Sequence, residues 1–293
     1  FSEDEARAAL IAEFGPEDAA RLFPKLGPAA AAASIAQIHK VILPDGSARA
    51  VKILRPNVER AVAKDLESLR LAANVADRFV PAARRLEPRA FVAEVAGATL
   101  KEIDLRIEAA AADEFREILA KDGYLAAPKV DWARSGRRVA TTDWIDGIPL
   151  SDDQALTRAG VDKKLLARKL VQGFLASALD HGFFHADMHE GNFILGHDGQ
   201  LWAVDFGIMG RINHAERRYL AEILWGFIKR DYRRIAQVHF DAGYITPDKS
   251  VDDFALALRA VGEPLQGKTA DRISMARVLL QLFDVTAQFG MHL

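Results

Sequence analysis

Five side chains in this sequence have the types and spacing for phosphoryl transfer. Asp187 and Asn192 lie five apart in His185-Ala186-Asp187-Met188-His189-Glu190-Gly191-Asn192, and Val204-Asp205-Phe206-Gly207 follows after a short hairpin pattern. The order is D-x-x-x-x-N, then D-F-G. Phosphoryl transfer needs cations to bridge phosphate oxygens, and Mg²⁺ takes hard oxygen ligands. Asp205 and Asn192 are the candidate metal ligands, and Asp187 is the candidate to orient or deprotonate the nucleophile. Upstream, Lys52 in Ala50-Val51-Lys52-Ile53-Leu54 has the setting of a strand lysine that pairs with phosphates. Such a lysine needs a carboxylate on the next helix, and Glu108 is the candidate. Asp104, four residues earlier, shares its helix face if one helix covers both; two like charges there favour a nearby cation. Taken singly, each residue has a bland reading: a loop cap, a turn former, a lysine with a solvated head, a charged helix face. The combination in this order is far more specific than any one member.

The elements that must position these residues can be read from pattern. Ser2 followed by Glu5 opens a helix to about Phe14, which Gly15-Pro16 stops. Gly27-Pro28 and the alanines 29–33 precede an obvious hairpin, Ile38 to Leu43 and Ala48 to Leu54, turning at Pro44-Asp45-Gly46. Apolar residues at Val58, Val62, Leu66, Leu69, Ala73, Ala76 and Val80 make one amphipathic helix ended by Pro81. A second helical stretch runs from Pro88 to about Lys121 and contains Glu102, Asp104 and Glu108. Two strands are expected at Lys129 to Trp132 and Arg137 to Trp144. A helix follows over about 162–181, then two short strands (Phe193 to Leu195, Leu201 to Val204). Helices are expected near 214–229, 231–242, 250–263 and 271–289. Strands with helices followed by a nearly all-helical half indicate two lobes, with the boundary near Asp146 to Leu150.

Composition narrows the classes. The 293 residues can bury a substantial core, with half of them hydrophobic and 27% charged. A net charge of −2 argues against a nucleic-acid partner. The absence of cysteine excludes disulfides, thiolate metal sites and thiol nucleophiles. No apolar run approaches the ~18 residues of a membrane span, and the acidic start is no signal peptide. A chain beginning with Phe1 reads as part of a longer protein, here a soluble part. Two hallmarks of ordinary protein kinases are missing. No G-x-G-x-x-G precedes Lys52, and only Ile208 to Asn213 separate the D-F-G from the next helix, with no A-P-E. A polypeptide substrate is therefore not expected.

These motifs resemble the UbiB family of atypical kinases over nearly the whole chain. Ala31-Ala32-Ala33-Ser34-Ile35-Ala36-Gln37 is similar to the A-A-A-S-I-G-Q that replaces the glycine-rich loop in that family. Ala50-Val51-Lys52 with Arg55-Pro56 is similar to A-V-K-x-x-R-P. Glu102-Ile103-Asp104 resembles the E-x-D motif, with Glu108-Ala109 as the E-A after it. Gly182-Phe183-Phe184-His185-Ala186-Asp187 is similar to G-F-F-H-A-D, and Gly191-Asn192 to its G-N. Ala36 stands in place of the family's glycine, and Glu190 in place of its proline. The family's K-x-G-Q extension and the membrane helices of many bacterial members have no counterpart here.

The resemblance implies an α+β, bilobal, protein-kinase-like fold: a small lobe over 1–147 with an antiparallel sheet and helices, and a larger, mostly helical lobe over 148–293. It implies ATP and Mg²⁺ as cofactors, with Ala31, Ala32, Ala33, Ser34, Gln37 and Lys52 at the nucleotide and Asp143, Trp144 and Ile145 at the hinge that meets adenine. It implies ATPase or small-molecule or lipid kinase activity supporting ubiquinone biosynthesis. The expected partners are a quinone-precursor lipid or small phenolic, ubiquinone-biosynthesis proteins and a membrane surface, on the cytoplasmic side of the bacterial inner membrane. A non-catalytic, nucleotide-switched scaffold for a quinone-biosynthesis complex is the alternative. A metal-dependent hydrolase is a minor one: His185-x-Asp187-x-His189, with His181 and His197 close in sequence, could bind zinc.

Overall fold

The computed structural model describes residues 1–33, 35–79, 87–268, 272 and 274–291. Helix α1 (Glu3–Phe14) is opened by the expected capping box, in which Ser2 N–H donates to Glu5 Oε2 (2.7 Å) and Glu5 N–H to Ser2 Oγ (3.2 Å). Gly15, at φ 83°, ends α1, but Pro16 does not stop the chain from coiling. It takes the first position of a new helix, α2 (Pro16–Leu22), where its missing N–H costs nothing.

Four antiparallel strands follow in the order β1 (Leu26–Ala32), β2 (Ala36–Ile42), β3 (Ala48–Leu54) and β4 (Val139–Asp143). The alanine run is thus largely strand: Ala31 pairs with Ile38 and Ala32 with Gln37. Alanine's helix propensity, a few tenths of a kcal/mol per residue, yields to this ladder. Pro28 is tolerated because β1 is an edge strand. Alternation gives the sheet two faces. His39, Val41, Val51, Ile53 and Val139 are buried, and the aliphatic four form a core with Ala6, Leu10, Leu22 and Phe23 of the N-terminal helices. Ile38, Lys52 and Ala140 are in register on the opposite face, as are Lys40, Ala50 and Thr142.

Helix α3 (Val58–Phe79) matches its apolar period; Val80 and Pro81 lie outside the described residues. The helical stretch expected from Pro88 to about Lys121 consists of two helices, α4 (Pro88–Glu102) and α5 (Leu105–Asp122). Asp104 stands outside both as the N-cap of α5, accepting the N–H of Arg106 (3.2 Å), so one helix does not cover Asp104 and Glu108. A strand over Lys129 to Trp132 is also absent. Val130 makes one bridge to Thr142, and Asp131 binds the Arg134 guanidinium three residues on (2.7 Å), curling Trp132–Arg134 into a 3₁₀ turn.

The rest of the chain supplies β5 (Gly147–Pro149), α6 (Asp153–Arg158), α7 (Lys163–Ala176), β6 (Phe183–His185), β7 (Phe193–Gly196) and β8 (Leu201–Ala203). β5, β7 and β8 form a small antiparallel sheet. It is followed by α8 (His214–Lys229), α9 (Tyr232–Asp241), α10 (Val251–Gly262) and α11 (Met275–Phe289), close to the expected bounds. One compact unit comprises residues 1–174 and 185–209; a second comprises 175–184 and 210–293. The second unit has its own core, in which Phe254 (1% exposed) meets Phe289 edge to face at 4.9 Å. Phe254→Ala is expected to lower the unfolding free energy by about 3–5 kcal/mol. Phe91→Ala, which removes a ring 66% exposed on α4, should change it by no more than about 0.5 kcal/mol. Equal losses in urea denaturation would contradict the core assignment.

Candidate active site

The site lies within the first unit and begins on β3. Register places the Lys52 side chain on the sheet face opposite α1 and α2, where α5 delivers Glu108 from its first turn. Lys52 Nζ donates to Glu108 Oε1 at 2.7 Å and to Asp205 Oδ2 at 3.0 Å. One ammonium therefore joins three distant parts of the chain. Glu108 Oε1 also receives the Phe206 N–H (3.4 Å), and Asp205 Oδ1 the Gly207 N–H (3.0 Å). Phe206 is buried against Phe115 of α5, with ring centroids 6.2 Å apart, so the D-F-G turn and α5 are packed as one body.

Electrostatics follow from two carboxylates facing one cation. Burial alone would depress the Lys52 pKa, but the attraction of Glu108 and Asp205 outweighs it and holds the ammonium charged. Burial raises the Glu108 carboxyl above its usual range, Lys52 only partly opposing this, and the neighbouring Asp205 charge adds to the rise. Burial would also raise Asp205, yet Lys52 and the Gly207 N–H hold it below the usual carboxylate value. The cluster carries an unbalanced negative charge. Its carboxylate oxygens are hard donors of the kind a divalent cation such as Mg²⁺ takes.

The loop before β7 is tied to this cluster through His185, a role that sequence alone does not reveal. His185 is buried, and burial lowers its pKa and keeps it neutral. Its Nδ1 accepts the Asp187 N–H (3.1 Å), so its Nε2 must carry the proton and donate to the Asp205 carbonyl (2.5 Å). Asn192 Nδ2 donates to the Asp187 carbonyl (3.1 Å) and to Asp187 Oδ2 (2.9 Å), and the Val204 N–H donates to the Asn192 carbonyl (3.0 Å). His189 accepts the Gly191 N–H (3.1 Å). The histidines thus brace the loop. Among the described residues no three His, Asp or Glu converge as a metal-holding group, so the hydrolase arrangement does not form.

Other expected residues lie elsewhere. Ala31 and Ala32 end β1, and the Ala33 N–H donates to the Ala36 carbonyl (2.9 Å) to close the turn; Ser34 lies outside the described residues. Arg55 clamps this turn: its Nη2 donates to the Ala33 carbonyl (3.0 Å) and its N–H to that of Ile35 (2.8 Å). The expectation that Gln37 faces the nucleotide is corrected. Its β2 neighbour Ile38 pairs with Lys52, so alternation turns Gln37 to the other face, where its amide meets the Phe1 backbone (3.1 and 2.7 Å). Asp143 pairs with Arg49 (3.2 Å). The Trp144 N–H donates to Ala48 (3.2 Å), and its ring lies under Lys40 Nζ at 4.7 Å; Ile145 follows, half-buried. Asp104 binds the Arg106 guanidinium through both oxygens (2.9 and 2.6 Å) and does not join Lys52. Exposed Glu102 lines a cavity of about 650 Å³ with Glu108, Phe206 and Gly207.

Residues 1–239 match the model of the ABC1 atypical kinase-like domain. The chain belongs to the ABC1 atypical kinase-like family. Residues 258–293 of this ABC1 chain match the UbiB helical domain. It is 35% identical to a probable protein kinase UbiB of Marinobacter nauticus, covering 100% of this chain and 54% of that relative. It is 39% identical to one of Aeromonas salmonicida, covering 89% and 49%. The chain spans about half the length of these curated relatives. Among solved structures, the Mycobacterium tuberculosis protein Rv3197, determined in complex with erythromycin, superposes with a TM-score of 0.71 at 22% identity, covering 99% of this chain and 80% of that one. The fold of the ABC1 chain is kinase-like, with an antiparallel sheet and helices preceding a mostly helical region.

The charge cluster makes a pH-dependent prediction. Lys52→Met leaves Glu108 and Asp205 without their cation, at a cost of about 3 kcal/mol near neutral pH, the low end of the range because Asp205 is 34% exposed. Burial already raises the Glu108 carboxyl above its usual range, and losing Lys52 removes the attraction that opposes this, so the native state binds more protons than the unfolded chain. The variant must lose stability as pH rises through the raised Glu108 value and recover as pH falls. Urea denaturation across about pH 5 to 8 measures this; a deficit independent of pH would contradict the assignment.

Proposed function

We propose that this chain is a Mg²⁺-dependent ATP-binding phosphotransferase or ATPase of the UbiB type, supporting ubiquinone biosynthesis. The observation that carries the reading is Lys52 Nζ bonded at once to Glu108 and Asp205. This is the pairing that phosphoryl-transfer sites of the kinase type use to hold phosphates and metal together. In this reading the lobes span 1–147 and 148–293. Backbone groups at Asp143, Trp144 and Ile145 meet the adenine, and Ala31, Ala32, Ala33 and Ser34 contribute to binding the nucleotide. Lys52, fixed by Glu108, orients the phosphates. Asp205 and Asn192 would hold Mg²⁺, which supplies charge neutralisation across the phosphate oxygens. Asp187, steadied by the Asn192 amide, accepts the proton of the attacking hydroxyl or water.

Chain length bears on the acceptor. Six residues, 208–213, separate the D-F-G from α8, too few for a segment that cradles a peptide. A small phenolic or a quinone-precursor lipid, met at a membrane surface, is the acceptor class that suits this economy. No helix among the described residues is long and apolar enough to cross a membrane.

Mg·ATP should raise the melting temperature, because a ligand that binds only the native state stabilises it. Asp205→Asn should abolish the Mg²⁺-dependent part of that rise. Asp187→Asn should keep the rise and lower ATP turnover by about 10²–10⁴-fold, the usual worth of a positioned base. Unchanged turnover in Asp187→Asn would remove it from the reaction. A melting shift without turnover in the unmodified chain would favour the nucleotide-switched scaffold.

A further inference from the structure

A cluster that the phosphoryl-transfer reading does not use lies in the second unit, at the junction of α8 and α9. A cavity of about 280 Å³ there is lined by Arg230, Tyr232, Arg233, Asp252, Leu256 and Arg259. The floor is rigid. Tyr232 is 3% exposed and belongs to the unit's core, and the Arg259 guanidinium lies over its ring at 5.7 Å. That contact holds a planar cation in place without neutralising it. Among the described residues no carboxylate lies within ion-pair distance of Arg259.

The other charges are only partly matched. Arg233 pairs with Asp252 at 2.9 Å, an exposed pair in which both side chains stay largely open to solvent (77% and 73%). Arg230 approaches Glu263 only to 3.8 Å and is itself 55% exposed. Asp231, the other acid at the rim, spends its carboxylate capping α9 by accepting the Arg234 N–H (3.0 Å). Arg230 also adopts the left-handed conformation, φ 59°, at the C-cap of α8. Glycine occupies such positions most easily, so an arginine there accepts a local cost and sets its side chain at the cavity rim.

We propose that this cavity is a binding site for a phosphate-bearing anion, with Arg259 as the central donor and Arg230 and Arg233 at its sides. Forked guanidiniums match phosphate oxygens in pairs, and an anion there neutralises Arg259, for which no ion pair is found among the described residues. The cavity is large enough for a phosphate with a small substituent. The shared chemistry is that of a phosphomonoester or phosphodiester, which can arrive free in solution or as a phospholipid headgroup. Leu256, 67% exposed at the same rim, would then face the apolar part of the ligand.

Isothermal titration of the chain with inorganic phosphate, and co-sedimentation with phosphatidylglycerol or phosphatidylcholine vesicles, tests the site and distinguishes the sources. Arg259→Gln and Arg230→Gln are the variants. Arg230→Gln removes an exposed head and serves if Arg259→Gln fails to fold. Binding of phosphate that weakens at least about tenfold in either variant supports the site with a free ligand. Binding only to phosphatidylglycerol vesicles, with the same sensitivity, supports it with a headgroup. Absence of both, or binding that the arginine variants leave unchanged, overturns it. The melting shift with Mg·ATP should be the same in these variants and in the unmodified chain, so the outcome is independent of the nucleotide site.

Discussion

The contact on which the rest of the first unit depends is the Lys52 ammonium held between Glu108 and Asp205. It fixes the position of α5 relative to β3, the conformation of the D-F-G turn, and through His185 the loop that carries Asp187. As a stabilising device it is a poor choice. Taking an ammonium and two carboxylates out of water costs several kcal/mol per ion before attraction offsets it, and one negative charge is left over. Apolar side chains of similar volume would hold the same elements together at lower cost. On the proposed function the arrangement makes physical sense, because a divalent cation bound with the nucleotide would offset the residual negative charge.

The surrounding structure is consistent with a site held ready. Phe206 packs against Phe115, His185 uses both ring nitrogens on backbone groups, and Asn192 braces the Asp187 carboxylate. Each of these fixes a side chain that must not move if phosphates are to be met in a defined geometry. The alanine turn is fastened by Arg55 instead of by glycine-rich flexibility. Arg55 thus commits the carbonyls of Ala33 and Ile35.

The legible parts of the sequence were those where local signals and packing agree. The β2–β3 hairpin, the four helices of the second unit and the order of the site motifs have period, caps and turn residues of their own. Ser250 and Ser274, for example, cap α10 and α11 by accepting the N–H groups of Asp253 and Arg277. What could not be read depends on partners distant in sequence. Poly-alanine carries no pattern, and only pairing with β2 makes 26–32 a strand. Asp104 interrupts a continuous helical pattern because its carboxylate bonds to Arg106, not because of any breaker. Gln37 belongs to a motif, but only register shows which sheet face it occupies. The bracing role of His185 exists only once the chain is folded.

A structure with Mn²⁺ in place of Mg²⁺ and a bound adenine nucleotide tests the central claim most directly. The account predicts an anomalous peak between the side-chain oxygens of Asp205 and Asn192, with a phosphate oxygen on Lys52 Nζ and the Lys52–Glu108 pair retained. Nucleotide bound elsewhere, or metal bound away from Asp205 while Lys52 still bridges both carboxylates, would contradict it.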